Sequence, residues 1–407
     1  MNNSIDRLIY NLEKSEWEVG GYVWNVSSLY AHYEQLSDQR SARGIRYRLA
    51  DMMSMVTLAK LGGEDEPHGM AQWLSERADQ IVVALGLSRS SMPHETTITR
   101  VMGKAVDVEE LEAVLQAYYD DQVQNGQSVL ISIDGKTLRG TIPKGQTQGV
   151  HLLAAYLPEE GLVLMEVEVD SKENEIVAAP KLLSAIDLRG KVVVGDAMQT
   201  QRALSIQIVE QGGDYLWLAK GNQPETQEAI AHLFEPQSCP PASSPIPTDF
   251  QTITTHSYGH GRWERRTLTS SAMLKDYLDW PYVEQVFKLD YRALNPSTGE
   301  IQQETVYGLT SLSPQQADPA RLLELKRSYW AIENKLHYRR DVSFNEDRCR
   351  LKTGHAARTM AIINNLALAL IDRLDFKSTP DARRRFAAKP EQALSLFFQP
   401  FADLTLQ

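Results

Sequence analysis

Between residues 128 and 220 the sequence alternates short apolar segments with amphipathic ones, and few folds accommodate this alternation. SVLISIDGK, VHLLAAYLP, GLVLMEVEVD, KVVVGDAM and DYLWLAK have the length and the β-branched content of buried strands. ENEIVAAPKLLSAIDL and TQRALSIQIVEQGG, which stand between the later segments, have helical spacing. The order β, β-hairpin, α, β, α, β predicts a mixed sheet flanked by helices.

Changes of pattern divide the rest of the chain. LADMMSMVTLAKLGG and its surroundings have helical periodicity, whereas the Pro- and Ser-rich stretch SCPPASSPIPTDF is followed by several β segments. The predicted units are an N-terminal extension (1–34), an all-α domain (35–126), an α/β domain (127–224 and 306–375), a β-rich insertion subdomain (225–305) and a C-terminal tail (376–407).

The composition excludes several classes of protein. Hydrophobic residues make up 42% of the 407 residues, which is ample for folded cores, and no apolar run has the roughly 18 residues of a membrane span. Cys239 and Cys349 lack the spacing of a zinc site. The formal net charge of −11 argues against a surface made for nonspecific nucleic-acid binding, so such a surface must be local. We expect a cytoplasmic globular protein with no membrane partner.

Two predicted strands end on a carboxylate. Asp134 closes ISID and Asp196 closes KVVVGD, and the ends of neighbouring parallel strands meet at one edge of a sheet. An Asp-Gly pair is also a common turn, so the first of these alone decides nothing. Glu333 lies at the border of the apolar stripe of a helix predicted over residues 319–336. Three carboxylates of this kind are the hard oxygen ligands that two-metal phosphoryl transfer requires.

Five motifs make the sequence recognisable by their order: ISIDGKTLRG, KVVVGDAMQTQ, GGDYLWLAKGNQ, HGRWERR and YWAIENKLHYRRDVSFNEDRCR. Together they resemble the H-repeat-associated subgroup of bacterial insertion-sequence transposases, with an Asp-Asp-Glu catalytic domain of ribonuclease H-like fold. LSDQRSARGIRYRLADMM and TTITRVMGKAVD are similar to the subgroup's N-terminal associated domain. The resemblance spans residues 36–374.

The resemblance implies a fold, a metal and partners. The fold is α/β, a ribonuclease H-like mixed sheet flanked by helices, interrupted by the β-rich insertion and preceded by an all-α N-terminal domain that binds DNA. Asp134, Asp196 and Glu333 are the implied metal ligands and catalytic residues, holding two Mg²⁺ ions for which Mn²⁺ substitutes. The implied partners are double-stranded DNA, as inverted-repeat ends and as target, and a second copy of the chain in a homodimer on DNA.

Basic and aromatic residues near the motifs are candidates for DNA contacts. Related families place a Tyr, an Arg and a Lys around the catalytic glutamate, and the same offsets here carry Lys326, Tyr329 and Arg340. An aromatic side chain can stack on an unpaired base, and a cation can hold a phosphate. For each candidate the alternative is a solvated charge or a packed ring. The candidates are Lys136, Arg139, His260, Arg262, Trp263, Lys326, Tyr329, His337 and Arg340.

Three functions fit these features. The leading hypothesis is an Mg²⁺-dependent transposase that hydrolyses the phosphodiester at transposon ends and joins the freed 3′ hydroxyl to target DNA. The alternatives are a domesticated or inactive transposase-derived protein that only binds DNA, and a nuclease without end specificity. Metal-dependent cleavage separates the first from the second, and random cleavage of plasmid DNA would favour the third.

Overall fold

A nine-stranded mixed sheet is the centre of the structure, a computed structural model that describes residues 16–19, 22–125, 129–170, 173–235, 248–259 and 261–406. Two further strands form a separate antiparallel hairpin near the N-terminus. The strands are β1 (Glu16–Val19), β2 (Tyr22–Asn25), β3 (Leu130–Thr137), β4 (His151–Leu157), β5 (Leu162–Val169), β6 (Val192–Gly195), β7 (Asp214–Ala219), β8 (Gln251–Gly259), β9 (Arg262–Ser271), β10 (Gln285–Leu294) and β11 (Ile301–Thr310).

The strand order of the large sheet is β5-β4-β3-β6-β7-β11-β10-β9-β8. β3, β4 and β5 are antiparallel neighbours, whereas β6 runs parallel to both β3 and β7. The five strands expected between residues 128 and 220 are therefore present, and they are flanked by helices. Asp134 does not end its strand as expected, because β3 continues to Thr137.

The strands from the second half of the chain continue the same sheet. β11 pairs antiparallel with β7, from Tyr307 opposite Ala219 to Thr310 opposite Leu216. β10, β9 and β8 follow outward. The predicted insertion at 225–305 thus contributes strands that are hydrogen-bonded to the α/β part, and its predicted end falls within β11.

The helices cover both faces of the strands that carry the carboxylates. They are α1 (Leu29–Tyr33), α2 (Leu49–Leu61), α3 (Pro67–Glu76), α4 (Ala78–Ala84), α5 (Glu95–Lys104), α6 (Val108–Asn125), α7 (Glu175–Ser184), α8 (Arg202–Glu210), α9 (Pro224–Phe234), α10 (Pro319–Ala331), α11 (Tyr338–Ser343), α12 (Ala356–Arg373), α13 (Thr379–Ala388) and α14 (Pro390–Leu396). None of the helices in the described ranges is both long enough and apolar enough to cross a bilayer.

Side chains that alternate along β6 face two different cores. On β6, Val193 faces the core that holds α7, α8 and α12, whereas Val192 and Val194 face the core beneath α10. Residues from Ala356 to Ile371 of α12 are all buried, because this helix packs against α2, α5, α6 and β5. A helix enclosed on all sides must be apolar around most of its circumference.

The predicted C-terminal tail is part of this packing. α13 and α14 contact α2, and Pro400 forms an isolated β-bridge with Ser28. Arg383 donates a hydrogen bond from Nη2 to Asp65 Oδ1 over 2.8 Å. Residues 376–406 therefore pack against the N-terminal helices.

A buried ion-pair network joins β5 to the segment after α10. Arg340 is fully buried, and its guanidinium contacts Glu166 Oε1 at 2.5 Å and Glu346 Oε2 at 2.8 Å. Asn364 and Asn365 of α12 donate to the same two carboxylates. Nearby, Lys136 Nζ donates to Asp341 Oδ1 over 2.6 Å. The acidic residues that follow Arg340 are thus paired with basic side chains, Glu346 with Arg340 and Asp341 with Lys136.

We expect Arg340→Met to lower the free energy of unfolding by about 3–5 kcal/mol, because it leaves two carboxylates buried without their cation. Denaturant titration followed by circular dichroism measures the change. Arg384→Met is the control, since Arg384 pairs with Asp381 at the exposed surface of α13 and its loss should cost less than about 1 kcal/mol. Equal effects of the two substitutions would contradict the prediction.

Candidate active site

The register between β3 and β6 brings two aspartates together. Their parallel pairing ends with Ile133 opposite Gly195, so Asp134 and Asp196 are the next residues along the two strands. Asp196 then caps a short 3₁₀ turn, and its Oδ1 accepts hydrogen bonds from the backbone N of Met198 at 2.8 Å and of Gln199 at 3.2 Å. This carboxylate is therefore held in one orientation.

The pKa of Asp196 is raised. Burial is the main cause, and the negative charges of Glu175 and Asp134 add to it, while the two backbone hydrogen bonds act in the opposite direction. Asp196 thus lies in a region where several negative charges meet, and a bound cation would relieve their repulsion.

Glu333 lies in a π-helical turn. The helix predicted over 319–336 is α-helical only to Ala331, and residues Ile332–His337 form a π-helix that leads into α11. A π turn holds one residue more than an α turn and often occurs at functional sites. Here it carries both Glu333 and His337, and one donor atom from each lies within 4.8 Å of a carboxylate oxygen of Asp134.

His337 has unsatisfied hydrogen-bonding capacity. Its side chain is 5% exposed, Nε2 lies 3.4 Å from Asp134 Oδ2 without hydrogen-bond geometry, and neither ring nitrogen has a hydrogen-bond partner in the described part of the chain. A buried imidazole without a hydrogen-bond partner beside two carboxylates fits a divalent cation, because imidazole is a ligand for transition-metal ions and carboxylates are ligands for Mg²⁺ and Mn²⁺. The side chains of Asp134, Glu333 and His337 are therefore suitable ligands for a divalent cation.

The structure therefore brings together Asp134, Glu333 and His337, with Asp196 on the adjacent strand and outside this three-residue group. From the sequence His337 was predicted only as a DNA contact. The signal that was missed is the spacing of four residues between Glu333 and His337 on one helix, which places two ligand-type side chains on the same face.

Tyr329 contacts the candidate site directly. Its hydroxyl donates a hydrogen bond to Asp134 Oδ1 over 3.3 Å. Burial, together with the charge of Asp134, raises the pKa of Tyr329 well above its usual value, so the hydroxyl stays protonated and remains a donor. At the offset where related families carry an arginine, this chain carries a residue that orients a carboxylate.

The other predicted DNA contacts differ in accessibility. The prediction for Arg340 is wrong, because its guanidinium is fully buried between Glu166 and Glu346 and no phosphate can reach it. Lys136 is also buried against acidic side chains. Arg139, Arg262 and Trp263 are accessible, the last two at the start of β9, four strands from β6. His260, like Cys239, lies outside the described residues.

A groove of about 320 Å³ opens beside Asp196. Lys326 is buried along it, and burial lowers the pKa of this lysine to about 8. Its Nζ lies 5.1 Å from the ring centre of Trp330, which is 52% exposed. Other residues that line the groove include Lys220, Arg266, Tyr291 and Arg327. Cations and aromatic rings beside a carboxylate centre suit a negatively charged strand with planar bases.

Comparison with known proteins agrees with this chemistry. Residues 125–370 match the family model described as "Transposase DDE domain", and residues 30–119 match that described as "DDE_Tnp_1-associated". The chain therefore belongs to the transposase DDE domain family. The predictions of an insertion-sequence transposase and of its associated N-terminal region are confirmed.

The chain is also similar to two relatives over nearly their full length. "Putative transposase YncI" of Escherichia coli O157:H7 is 28% identical over 375 residues, which cover 89% of this chain and 92% of that protein. "H repeat-associated putative transposase YhhI" of Escherichia coli K12 is 26% identical over 352 residues, covering 85% and 90%. The predicted resemblance to the H-repeat-associated group is thereby confirmed.

A solved structure of the piggyBac transposase synaptic complex with hairpin DNA overlaps 94% of this chain and 79% of that one. The TM-score is 0.41 and the sequence identity is 11%. A likeness at this level carries no weight for the function of the chain.

We expect Asp196→Asn to raise the melting temperature at pH 7 in the presence of a chelator. Because folding raises the pKa of this carboxyl, its ionised form destabilises the folded state at pH values above both the folded and the unfolded pKa. The gain should vanish as the pH falls below the unfolded value of about 3.9. Differential scanning calorimetry of both proteins across this pH range measures it.

Asp187→Asn is the matched control for this measurement. Hydrogen bonds from Arg189 hold the pKa of Asp187 at about 2, so its ionised form is favourable in the folded state. Removing that charge should give no increase in melting temperature. A similar increase for both variants would show that the effect is unrelated to the environment of Asp196.

Proposed function

We propose that the protein cuts phosphodiester bonds at the ends of its own insertion sequence and joins the freed 3′ hydroxyls to target DNA. In this proposal Asp134, Asp196 and Glu333 hold two Mg²⁺ ions, for which Mn²⁺ substitutes. The observation that carries it is the convergence of Asp134, Glu333 and His337 within 4.8 Å, with Asp196 at the next position of the adjacent strand.

Different groups of the protein would have different roles in such a reaction. Bound cations would supply an activated hydroxyl and would stabilise charge on the leaving oxygen. The backbone amides of residues 198 and 199 fix Asp196, and the hydroxyl of Tyr329 fixes Asp134. The π turn supplies Glu333 and His337 from the other side of the centre. Such prior orientation lowers the barrier because the ligands need not reorganise during the reaction.

We assign the α/β part to the ribonuclease H-like fold. The support is the order β5-β4-β3-β6-β7, in which three antiparallel strands are followed by two parallel ones with helices between them. We assign residues 35–126 to an all-α DNA-binding domain. Its described secondary structure is helical, and Arg43 and Arg46 are exposed on it.

We place one DNA strand along the groove beside Asp196. Lys220 and Arg327 are exposed cations at this groove, and Trp330 offers an accessible ring. The net charge of −11 makes a local track of this kind necessary for binding a polyanion. Because two ends must be joined in one event, we also propose that two copies of the chain act together on DNA.

Asp134→Ala, Asp196→Ala and Glu333→Ala should each lower the rate of end cleavage by about 10³-fold or more, while DNA binding is largely retained. The assay uses labelled DNA that carries the element's own end, with Mg²⁺ or with chelator. Glu324→Ala is the control, because Glu324 lies on α10 and faces solvent in a pair with Arg321. It should cleave at the wild-type rate.

The outcomes of this assay separate the competing functions. Binding without cleavage by the wild-type protein would favour a transposase-derived DNA-binding protein. Cleavage of plain plasmid DNA at the same rate as of the end sequence would favour a nuclease without end specificity. Cleavage that persists in all three variants would overturn the metal-centre assignment.

Arg327→Gln should weaken DNA binding and lower the slope of log K against log salt by about 0.9, the value for one phosphate contact. Fluorescence anisotropy at several salt concentrations measures both quantities. Arg321→Gln, on the same helix and paired with Glu324, is the matched control and should leave the slope unchanged. An unchanged slope for Arg327→Gln would remove the groove from the proposed DNA path.

A further inference from the structure

Glu175 lies beside the candidate active site without having been predicted as part of it. It is the first residue of α7 and its side chain is 11% exposed. A Cβ atom at Gly135 would lie only 2.1 Å from its Oε1. The glycine that follows Asp134 therefore makes room for this carboxylate.

The side chains of His151 and Gln199 hold the carboxylate of Glu175. Nε2 of His151 lies 2.8 Å from Oε1, and Nε2 of Gln199 lies 2.9 Å from Oε2. An ionised carboxylate only accepts hydrogen bonds, so both nitrogens donate. Nδ1 of His151 lies 2.7 Å from the hydroxyl oxygen of Thr137. These contacts define the orientation of Glu175.

Gln199 connects Glu175 to Asp196. Its side chain donates to Glu175, while its backbone N donates to Asp196 Oδ1. The same residue thus binds both carboxylates. The negative charge of Glu175, like that of Asp134, contributes to the raised pKa of Asp196. It also contributes to the raised pKa of Tyr329.

No lysine or arginine forms an ion pair with Glu175 within the described ranges. A buried carboxylate that has no lysine or arginine partner and lies close to like charges lowers stability, because its charge is removed from water and poorly compensated. A cation bound at the neighbouring centre would compensate it. This unbalanced charge is what distinguishes Glu175 from the buried glutamates that surround Arg340.

We propose that Glu175 is a positioning residue of the metal centre, whose fixed negative charge strengthens the binding of divalent cations by Asp134 and Asp196 and whose bond to Gln199 holds the turn that carries Asp196. This inference rests on the proposed function, because it assumes that those aspartates bind metal. Residues that support ligands in this manner commonly change metal affinity by 10- to 100-fold.

The test is Mn²⁺ binding to the full-length protein without DNA, measured by electron paramagnetic resonance of the free ion. Glu175→Gln keeps the shape of the side chain and can still accept from Gln199, but it removes the charge. We expect it to raise the Kd for Mn²⁺ by about 10-fold or more. Glu175→Asp, which keeps the charge, should bind Mn²⁺ more tightly than Glu175→Gln.

Glu173→Gln is the matched control, since Glu173 is exposed and pairs with Lys181 just before α7. It should bind Mn²⁺ as the wild type does. A second readout is the Mg²⁺ concentration that gives half-maximal end cleavage, which should rise in Glu175→Gln by a similar factor.

Each other outcome has a defined meaning. Equal Mn²⁺ affinity in Glu175→Gln and wild type would overturn this inference and leave the proposed function intact. An absence of Mn²⁺ binding by the wild type would overturn the proposed metal centre and this inference with it. Loss of the native circular dichroism spectrum in Glu175→Gln would assign Glu175 a structural role only and would also overturn the inference.

Discussion

The guanidinium of Arg340 is the contact on which the geometry of the candidate site depends. It joins Glu166 of β5 to Glu346 beyond α11, and α12 supplies two asparagines to the same carboxylates. The helix that carries Glu333 is thereby fastened to the sheet only seven residues after that glutamate. Lys136 adds a second link from β3 to Asp341. The strand that bears Asp134 and the turn that bears Glu333 are both held by ion pairs, and those of Arg340 are fully buried. Such pairs are strongly directional, although replacing them by apolar groups need not lower stability.

Much of this arrangement follows from the sequence. Five apolar segments and two amphipathic ones define the strands and helices around Asp134 and Asp196, because burial imposes different periods on strands and helices. The pairing of β11 with β7 could not be derived in this way, since a segment's own residues do not specify which strand lies beside it. The position of Arg340 was also missed. The π turn at Ile332–His337 adds a residue, and one additional residue rotates the following side chains by about 100°. Offsets counted along a regular helix then assign the wrong face.

The candidate site concentrates negative charge. Asp134, Asp196, Glu333 and Glu175 belong to four different elements, and within the described residues no lysine or arginine forms an ion pair with any of them. Repulsion among these carboxylates works against folding, and the raised pKa of Asp196 is one sign of it. The carboxylates therefore lower the stability of the fold, but their arrangement is suited to binding cations. The ion pairs around Arg340 and the two cores of the sheet provide the surrounding rigidity.

The joining of β11 to β7 has a consequence for how this protein can change over evolutionary time. A sheet that ended at β7 would leave unpaired the backbone groups of residues 216–219 that now face β11, and open edges of this kind promote association between chains. The four later strands move the open edge outward to β8, whose side chains are mostly polar. Residues 251–310 are therefore an integral part of the sheet. Lineages can vary the outer strands and their loops, but a deletion that removed β11 would expose the inner sheet, so loss of this region is expected to be rarer than its diversification.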